Sequence, residues 1–216
     1  MDRLFPLTGS CNFIGRKAIL ENLKRNYQKE LPSHIQVIGP HYTGKSVLLR
    51  KLEDDLKKSK LLDAVIYWDL CGLLPKSDDD FLYELCKQLG SALQGVDDEA
   101  STLLLDKDNT LEGAFDLLCD FAGIWEDENK KILIIMDGFE KPINSGTLTA
   151  NLWDRLRHIA NDNHSIRLLT GSRDSLRETV RDPASQKSPF FNIFDPSIVR
   201  VGCLDEKDIS DAVSKL

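Results

Sequence analysis

Apolar runs of strand length alternate with helically spaced leucines along the chain, and this alternation most constrains the fold. Strands are predicted at 34–38, 63–69, 131–137, 166–170 and 198–202. Helical spacing is found over 17–29, 45–58, 78–93, 110–125 and 148–160, and a further helix begins after 204. Because crossovers through helices join parallel strands, the pattern predicts an α/β fold in which helices cover both faces of a five-stranded parallel sheet.

Two stretches lack a clear period. Residues 94–109 are acidic, and we expect a loop there with one short helical piece. Residues 181–197 contain three prolines, and we expect an irregular loop. By contrast, the uninterrupted apolar run KILIIMD at 131–137 predicts a strand that is buried on both faces.

Composition bounds the class of protein. The 216 residues, 41% hydrophobic and 29% charged, suit one fairly large globular domain or one domain with a piece of another. The net charge of -7 argues against a dedicated nucleic-acid binder, which usually carries a basic surplus. No apolar stretch has the length of a signal peptide or a membrane span. Five cysteines without a Cys-x-x-Cys pair predict buried free thiols, and we expect a cytoplasmic protein without membrane contact.

A phosphate-binding motif stands between the first strand and the next helix. Eight consecutive residues match G-x-x-x-x-G-K-S/T in full: Gly39, Pro40, His41, Tyr42, Thr43, Gly44, Lys45 and Ser46. The glycines allow a tight turn, and backbone N–H groups at the helix start, including that of Val47, are expected to face the phosphates. The Lys45 ammonium can reach the terminal phosphates, and the Ser46 hydroxyl can bind Mg²⁺.

Polar residues end two later strands. Asp137 closes the KILIIMD strand about 90 residues after the motif, where a carboxylate can support Mg²⁺. Thr170, Ser172 and Arg173 close the RLLTGSRD strand, where a polar group could contact a γ-phosphate. The alternative is an ordinary capped loop with a solvated arginine. His41 is expected to face solvent, and Tyr42 to pack beside it.

These segments together resemble the additional-strand P-loop ATPases, and within them the AAA+-related STAND signal-transduction ATPases and their archaeal-ATPase-like relatives. Four segments carry the resemblance over about residues 10–212: FIGR at 13–16, DGFE at 137–140, TGSR at 170–173, and SPFFN at 188–192 followed by VGCL at 201–204. The resemblance implies a three-layer P-loop NTPase fold with strand order 5-1-4-3-2.

The same resemblance implies a domain organisation and residue roles. Residues 1–30 would form an N-terminal segment and helix, and residues 31–216 the NTPase core, with a helical lid expected to begin about where the sequence ends. Ile14, Gly15 and Arg16 would lie near the adenine; the alternative for Arg16 is a surface arginine. The chain would bind ATP or ADP with Mg²⁺, held by Ser46 and Asp137. Four catalytic residues would be Lys45, Asp137, Glu140 and Arg173.

One departure affects the expected activity. Many members of the wider class carry an acidic residue directly after the magnesium aspartate, and this chain has Gly138 there. Glu140 is the nearest substitute, so we expect slow ATP hydrolysis. Adenine is favoured over guanine because the sequence has no Asn-Lys-x-Asp segment.

Three functions are compatible with a phosphate loop of this kind, and the other features favour the first. The first is a nucleotide-controlled switch that binds protein partners or itself in the ATP form, as in STAND proteins, some of them defence-related. The second is a DNA-associated ATPase, an initiator or a transposition helper; the acidic balance opposes it, and acidic neighbours offset the one basic cluster, Lys57, Lys58 and Lys60. The third, a small-molecule kinase, lacks an acceptor-binding constellation.

Overall fold

A computed structural model describes residues 15–161, 163–204 and 206–213. Within these ranges the chain forms a parallel sheet of five strands: β1 (Ile35–Ile38), β2 (Ala64–Asp69), β3 (Ile132–Asp137), β4 (Ile166–Ser172) and β5 (Ile198–Arg200). The strands are ordered β2-β3-β4-β1-β5, and each neighbouring pair is parallel. The predicted order 5-1-4-3-2 is therefore confirmed.

Helices cover both faces of the sheet. In chain order they are α1 (Lys17–Tyr27), α2 (Lys45–Ser59), α3 (Asp78–Leu93), α4 (Asp98–Leu105), α5 (Ala114–Asp127), α6 (Glu140–Ile143), α7 (Ala150–Asn161), α8 (Leu176–Thr179), α9 (Pro183–Gln186) and α10 (Glu206–Val213), with a 3-10 helix at Pro189–Ser197. The leucines of α1 and α2 pack in one core cluster, and α3, α5 and α7 pack in another. The result is the predicted three-layer α/β/α arrangement.

Strand β3 shows why its sequence lacks alternation. Ile132, Ile134 and Met136 join the core cluster on the side of α3, α5 and α7, whereas Leu133 and Ile135 join the cluster on the side of α1 and α2. All six residues of the strand are buried. Both faces of a central parallel strand need apolar side chains, so the continuous apolar run is the expected pattern.

The prediction of an irregular loop at 181–197 was wrong. This segment forms α9 and the 3-10 helix, and its Phe190, Phe191 and Phe194 are buried. Phe190 and Phe191 pack on the ring of Trp153 in α7. Proline disfavours a helix interior but suits the first turn, where its missing N–H has no partner to lose, and both short helices begin with proline.

Smaller differences concern strand ends and cysteines. Strand β4 extends to Ser172 rather than ending at 170, and the short helical piece expected in 94–109 is α4. Cys86 is buried as predicted, but Cys71 and Cys203 are exposed, which contradicts the expectation of buried thiols. Cys11 lies outside the described residues.

No helix in the described ranges is both long enough and apolar enough to traverse a lipid bilayer.

Candidate functional site

The predicted site residues come together at one edge of the sheet. Strand register aligns Asp137 at the end of β3 with Gly171 of β4, and Ser172 of β4 with Ile38 at the end of β1. Because all the strands are parallel, their carboxyl ends lie at the same edge. The loop from Gly39 to Gly44 leaves β1 at that edge and leads directly into α2.

Backbone geometry explains the two glycines of this loop. A Cβ atom at Gly39 would collide with the carbonyl oxygen of Val201, and the Gly39 N–H donates to the carbonyl oxygen of Arg173 at 3.1 Å. Gly44 has a φ of 79°, in the left-handed region, and precedes the first turn of α2. Glycine reaches this conformation without steric cost. The loop is thus closed tightly against β5 and β4 by backbone contacts.

The start of α2 can bind an anion. Gly44 has no side chain to cap the helix, so the first-turn N–H groups remain available for another acceptor. The positive end of the helix dipole lies at the same point. Ser46 and Val47 follow in this turn, and both are exposed. An exposed hydroxyl and a set of free amides are the groups that the sequence motif requires.

The Lys45 ammonium lies inside the loop. Its Nζ donates to the carbonyl oxygens of Gly39 at 2.6 Å and Pro40 at 2.9 Å, and Thr43 Oγ1 donates to the Pro40 oxygen at 2.9 Å. Burial lowers the pKa of Lys45, and the nearby carboxylates of Glu140 and Asp137 oppose that effect. The lysine therefore contacts the loop and lies near the two acidic groups at the end of β3 and the start of α6.

The carboxylate of Asp137 is buried, with a hydrogen bond at one oxygen and the backbone of a glycine beside the other. Only 4% of Asp137 is exposed. Its Oδ2 accepts a hydrogen bond of 2.6 Å from the hydroxyl of Tyr67, and its Oδ1 would be 2.7 Å from a Cβ atom at Gly171. Burial raises the pKa of Tyr67, so the phenol stays neutral and its O–H donates a hydrogen bond to the carboxylate. The glycine of TGSR leaves room for this aspartate.

Sequence reasoning missed Tyr67, and also Arg50 of α2, whose guanidinium carbon lies 3.9 Å from the centre of the Tyr67 ring. The two-residue alternation of side chains along a strand could have identified Tyr67. Asp137 lies two residues after Ile135 and therefore on the same face of the sheet, and Tyr67 pairs with Ile135 on the neighbouring strand. Nothing in the spacing of Arg50 by itself points to an aromatic partner.

Glu140 begins α6 beside Lys45, and its Oε2 is buried without a hydrogen-bond partner in the structure. Gly138 has a φ of 75°, and a Cβ atom there would lie 2.6 Å from Cys71 Sγ. A side chain directly after Asp137 would therefore be strained and crowded. Glu140 is the nearest acidic side chain along the chain after Asp137.

The end of β4 places three polar residues near the loop. Thr170 Oγ1 is buried without a hydrogen-bond partner, and Ser172 Oγ donates to the Asp174 carbonyl oxygen at 2.6 Å. The guanidinium of Arg173 contacts the ring of His41 in the loop. His41 is exposed, as expected, but this contact was not foreseen. The ring of Tyr42 lies 5.8 Å from that of His41, as expected, although its side chain is fully exposed at a φ of 63°.

The N-terminal segment reaches the same loop. Ile14 lies outside the described residues, and Gly15 and Arg16 both have left-handed backbone angles. The Arg16 N–H donates to Asp208 Oδ2 of α10 at 2.9 Å, and its guanidinium donates to the Gly202 carbonyl oxygen at 2.9 Å. The same guanidinium would be 2.7 Å from a Cβ atom at Gly44, so Arg16 flanks the loop. Partial burial lowers its pKa.

The residues present fit a nucleotide phosphate chain with Mg²⁺. The glycine backbone at Gly39 and Gly44 leaves a cradle that a Cβ atom would fill or strain. The Lys45 ammonium and the α2 amides supply positive charge, while the Ser46 hydroxyl and the Asp137 carboxylate are the oxygen ligands that Mg²⁺ prefers. Glu140 Oε2, whose carboxylate lies near the Lys45 ammonium, is buried without a hydrogen-bond partner.

The fold and the position of this loop define a class. The chain has the three-layer fold of the P-loop NTPases, with β4 between the loop strand β1 and the carboxylate strand β3, as in the additional-strand group. Comparison with solved structures agrees. The Orc2 protein of Aeropyrum pernix, solved as ADPNP–ADP complexes, superposes with a TM-score of 0.66 at 17% identity, covering 94% of this chain and 53% of that one.

Two further structures share the fold. The Walker-type ATPase of Pyrococcus abyssi gives a TM-score of 0.62 at 14% identity, covering 99% of this chain and 60% of that one. The Orc1 protein of Aeropyrum pernix in complex with DNA gives a TM-score of 0.63 at 13% identity, covering 94% of this chain and 49% of that one. This chain thus spans about half to three fifths of those proteins. Neither protein-family models nor curated proteins give a match by sequence.

Proposed function

We propose that this chain is an ATP- and ADP-binding P-loop NTPase domain that uses Mg²⁺. The observation that carries the proposal is the glycine loop at the start of α2. The Lys45 ammonium lies in this loop, and the buried Asp137 carboxylate lies at the same edge of the sheet. Lys45 would hold the β- and γ-phosphates, and Ser46 and Asp137 would hold the ion. Mg²⁺ supplies charge neutralisation at the phosphates when it is bound.

Hydrolysis by this domain should be slow. The residue after Asp137 is Gly138, where the left-handed φ and the nearby Cys71 Sγ disfavour a side chain. Glu140 would take the role of the base that orients the attacking water, and its buried oxygen without a partner supports this assignment. Arg173 would contact the γ-phosphate after leaving His41. The base Glu140 is three residues after Asp137 rather than next to it, and Arg173 is in contact with His41. Both features would slow hydrolysis and so favour a long-lived ATP form.

Slow turnover suits a nucleotide-controlled switch of the STAND type. The support from this chain is Arg16, which lies against the phosphate loop at Gly44 and donates to Asp208 of α10. A rearrangement of the loop on nucleotide binding would thereby alter the contact with α10. The switch would expose a surface for protein partners or self-association in the ATP form.

A DNA-associated ATPase is the second candidate. Its support is the fold likeness to an archaeal Orc1 protein solved in complex with DNA and to the Drosophila ORC solved bound to DNA. The net charge of -7 opposes direct DNA binding by this chain. The basic residue Lys57 is in an ion pair of 2.7 Å with Glu53 and is thus a poor phosphate contact.

The Lys45→Ala substitution tests nucleotide binding. Wild-type protein should gain about 2.7 kcal/mol of stability at ATP concentrations about 100 times its Kd, measured as a rise in melting temperature. The variant should lose this gain while its melting temperature without ATP stays close to that of wild type. Lys57→Ala on the same helix is the matched control. Equal ATP stabilisation of Lys45→Ala and wild-type protein would contradict the proposed loop.

The two candidates differ in their response to DNA and to nucleotide. A switch should change its sedimentation behaviour between ATP and ADP, and show no salt-sensitive binding to duplex DNA. A DNA-associated ATPase should bind DNA with an affinity that falls steeply with salt, because phosphate contacts release counterions. Salt-sensitive binding without a nucleotide-dependent change in size would favour the second candidate.

A further inference from the structure

The Tyr67 hydroxyl fixes one oxygen of a buried carboxylate. It donates to Asp137 Oδ2 at 2.6 Å across the neighbouring strands β2 and β3. The other oxygen, Oδ1, lies against Gly171, where the missing side chain leaves space for it. A buried carboxylate with one oxygen held by a hydrogen bond has restricted rotation. Its orientation is therefore set before any ligand arrives.

The ring of Tyr67 is held in turn by the helix that follows the phosphate loop. The guanidinium carbon of Arg50 lies 3.9 Å from the centre of the ring, which is a cation–π distance. Arg50 lies four residues after Ser46, and residues with this spacing lie on the same face of a helix. Ser46 and Arg50 thus share the side of α2 that faces β2.

From this chain of contacts we infer that Tyr67, braced by Arg50, is a positioning residue that aligns Asp137 with Ser46 for Mg²⁺ binding. The inference rests on the proposed function, because it concerns the ion that accompanies the nucleotide. Ser46 and Asp137 come from different elements, separated along the chain by about 90 residues. The Arg50–Tyr67–Asp137 contacts link the side chains of those two elements, beside the apolar packing of the α2 leucines on Leu133 and Ile135. Apolar packing fixes the distance between the elements, whereas the hydrogen bond from Tyr67 fixes the orientation of the carboxylate.

The test is a Mg²⁺ titration of nucleotide binding with the Tyr67→Phe variant. Binding of a fluorescent ATP analogue is measured in EDTA and then at increasing Mg²⁺. Loss of a residue that orients a metal ligand typically weakens metal affinity roughly 10–100-fold. The variant should therefore need at least roughly tenfold more Mg²⁺ for half-maximal enhancement. Its affinity in EDTA should match that of wild type, since the loop and Lys45 are untouched.

The chain offers a matched control. Tyr83 of α3 also carries a cation over its ring, with Lys87 Nζ 4.6 Å from the ring centre, but it lies by the surface cavity bordered by Leu104 and Leu105. Tyr83→Phe should leave the Mg²⁺ requirement unchanged. Arg50→Met, which removes the brace and keeps the Tyr67 hydroxyl, should raise the requirement by roughly twofold to fivefold.

The outcomes separate this inference from the proposed function. If wild-type protein binds no nucleotide in EDTA or in Mg²⁺, the proposed function fails, and with it the inference. If wild-type binding is enhanced by Mg²⁺ and Tyr67→Phe has the same half-maximal concentration, the inference fails alone. Melting temperature checks that Tyr67→Phe is folded. If it is not folded, Arg50→Met decides, and a Mg²⁺ requirement equal to that of wild type overturns the inference.

Discussion

His34, a buried histidine directly before β1, makes the free energy of unfolding depend on pH in a predictable direction. His34 is 8% exposed, and its Nδ1 accepts a hydrogen bond of 3.0 Å from the Leu168 N–H. Arg167 of β4 lies nearby, and the ring of Phe194 packs edge-on against the imidazole. Burial, with a further contribution from the Arg167 charge, lowers the pKa of His34 from 6.5 to about 4. The folded protein therefore holds this imidazole neutral.

The sign and size of this pH effect follow from the linkage between proton binding and folding. Between the folded pKa of about 4 and the unfolded value of 6.5, the unfolded chain binds more protons than the folded one. The contribution of His34 to stability is therefore present above pH 6.5 and is lost as the pH falls towards 4. Lowering the pH from about 7 to about 5 should cost about 2 kcal/mol from this residue alone.

The assay compares wild type with His34→Asn by urea unfolding across this pH range, followed by tryptophan fluorescence. Asparagine can place its Oδ1 where Nδ1 accepts the Leu168 N–H, and it does not titrate. Carboxylates whose folded pKa is depressed, such as Asp97, contribute equally to both proteins and cancel in the difference. Wild type should lose about 2 kcal/mol more than the variant. Parallel curves for the two proteins would refute the reasoning.

Three further predictions concern the site. Glu140→Gln should lower the steady-state rate of ATP hydrolysis by roughly 10²-fold or more while leaving ATP affinity intact, since it removes only the proposed base; an unchanged rate would refute that role. Gly171→Ala should destabilise the fold by about 1–3 kcal/mol and weaken Mg²⁺-dependent ATP binding, because the new methyl group collides with Asp137. Gly72→Ala, which meets open space, is its control in urea unfolding. Tyr42→Gly should raise stability by at most about 1 kcal/mol in the same assay, because a φ of 63° favours glycine, while the lost contact with the His41 ring and the freedom of glycine in the unfolded chain offset part of the gain; a loss of stability would contradict this.

The sheet could be predicted from the sequence because its signals are local. Each central strand needs apolar residues on both faces, so a run such as 131–137 identifies itself without knowledge of its neighbours. The phosphate loop is equally local: glycine, lysine and serine at fixed spacing lie between one strand and one helix. The strand order came from the resemblance, since composition and spacing alone do not specify which strands are adjacent.

The contacts missed by sequence reasoning are those that join distant segments. Tyr67 and Asp137 are 70 positions apart and meet only through the pairing of β2 with β3. Arg16 reaches Asp208 across 192 positions. In the segment 181–197, prolines suggested a loop because their local effect is to end helices, whereas the burial of three phenylalanines around Trp153 depends on the tertiary fold.

The same packing accounts for the expected slow hydrolysis. Gly138 combines a φ of 75° with Cys71 Sγ at 2.6 Å from the Cβ position, and its N–H donates to the Gly171 carbonyl oxygen at 2.8 Å. A carboxylate at 138 would have to adopt the same left-handed angle and displace the exposed Cys71 side chain. A residue that changed the angle instead would strain the hydrogen bond to β4 beside Asp137. The backbone at this edge therefore favours glycine at 138, which supports the proposal that hydrolysis is slow.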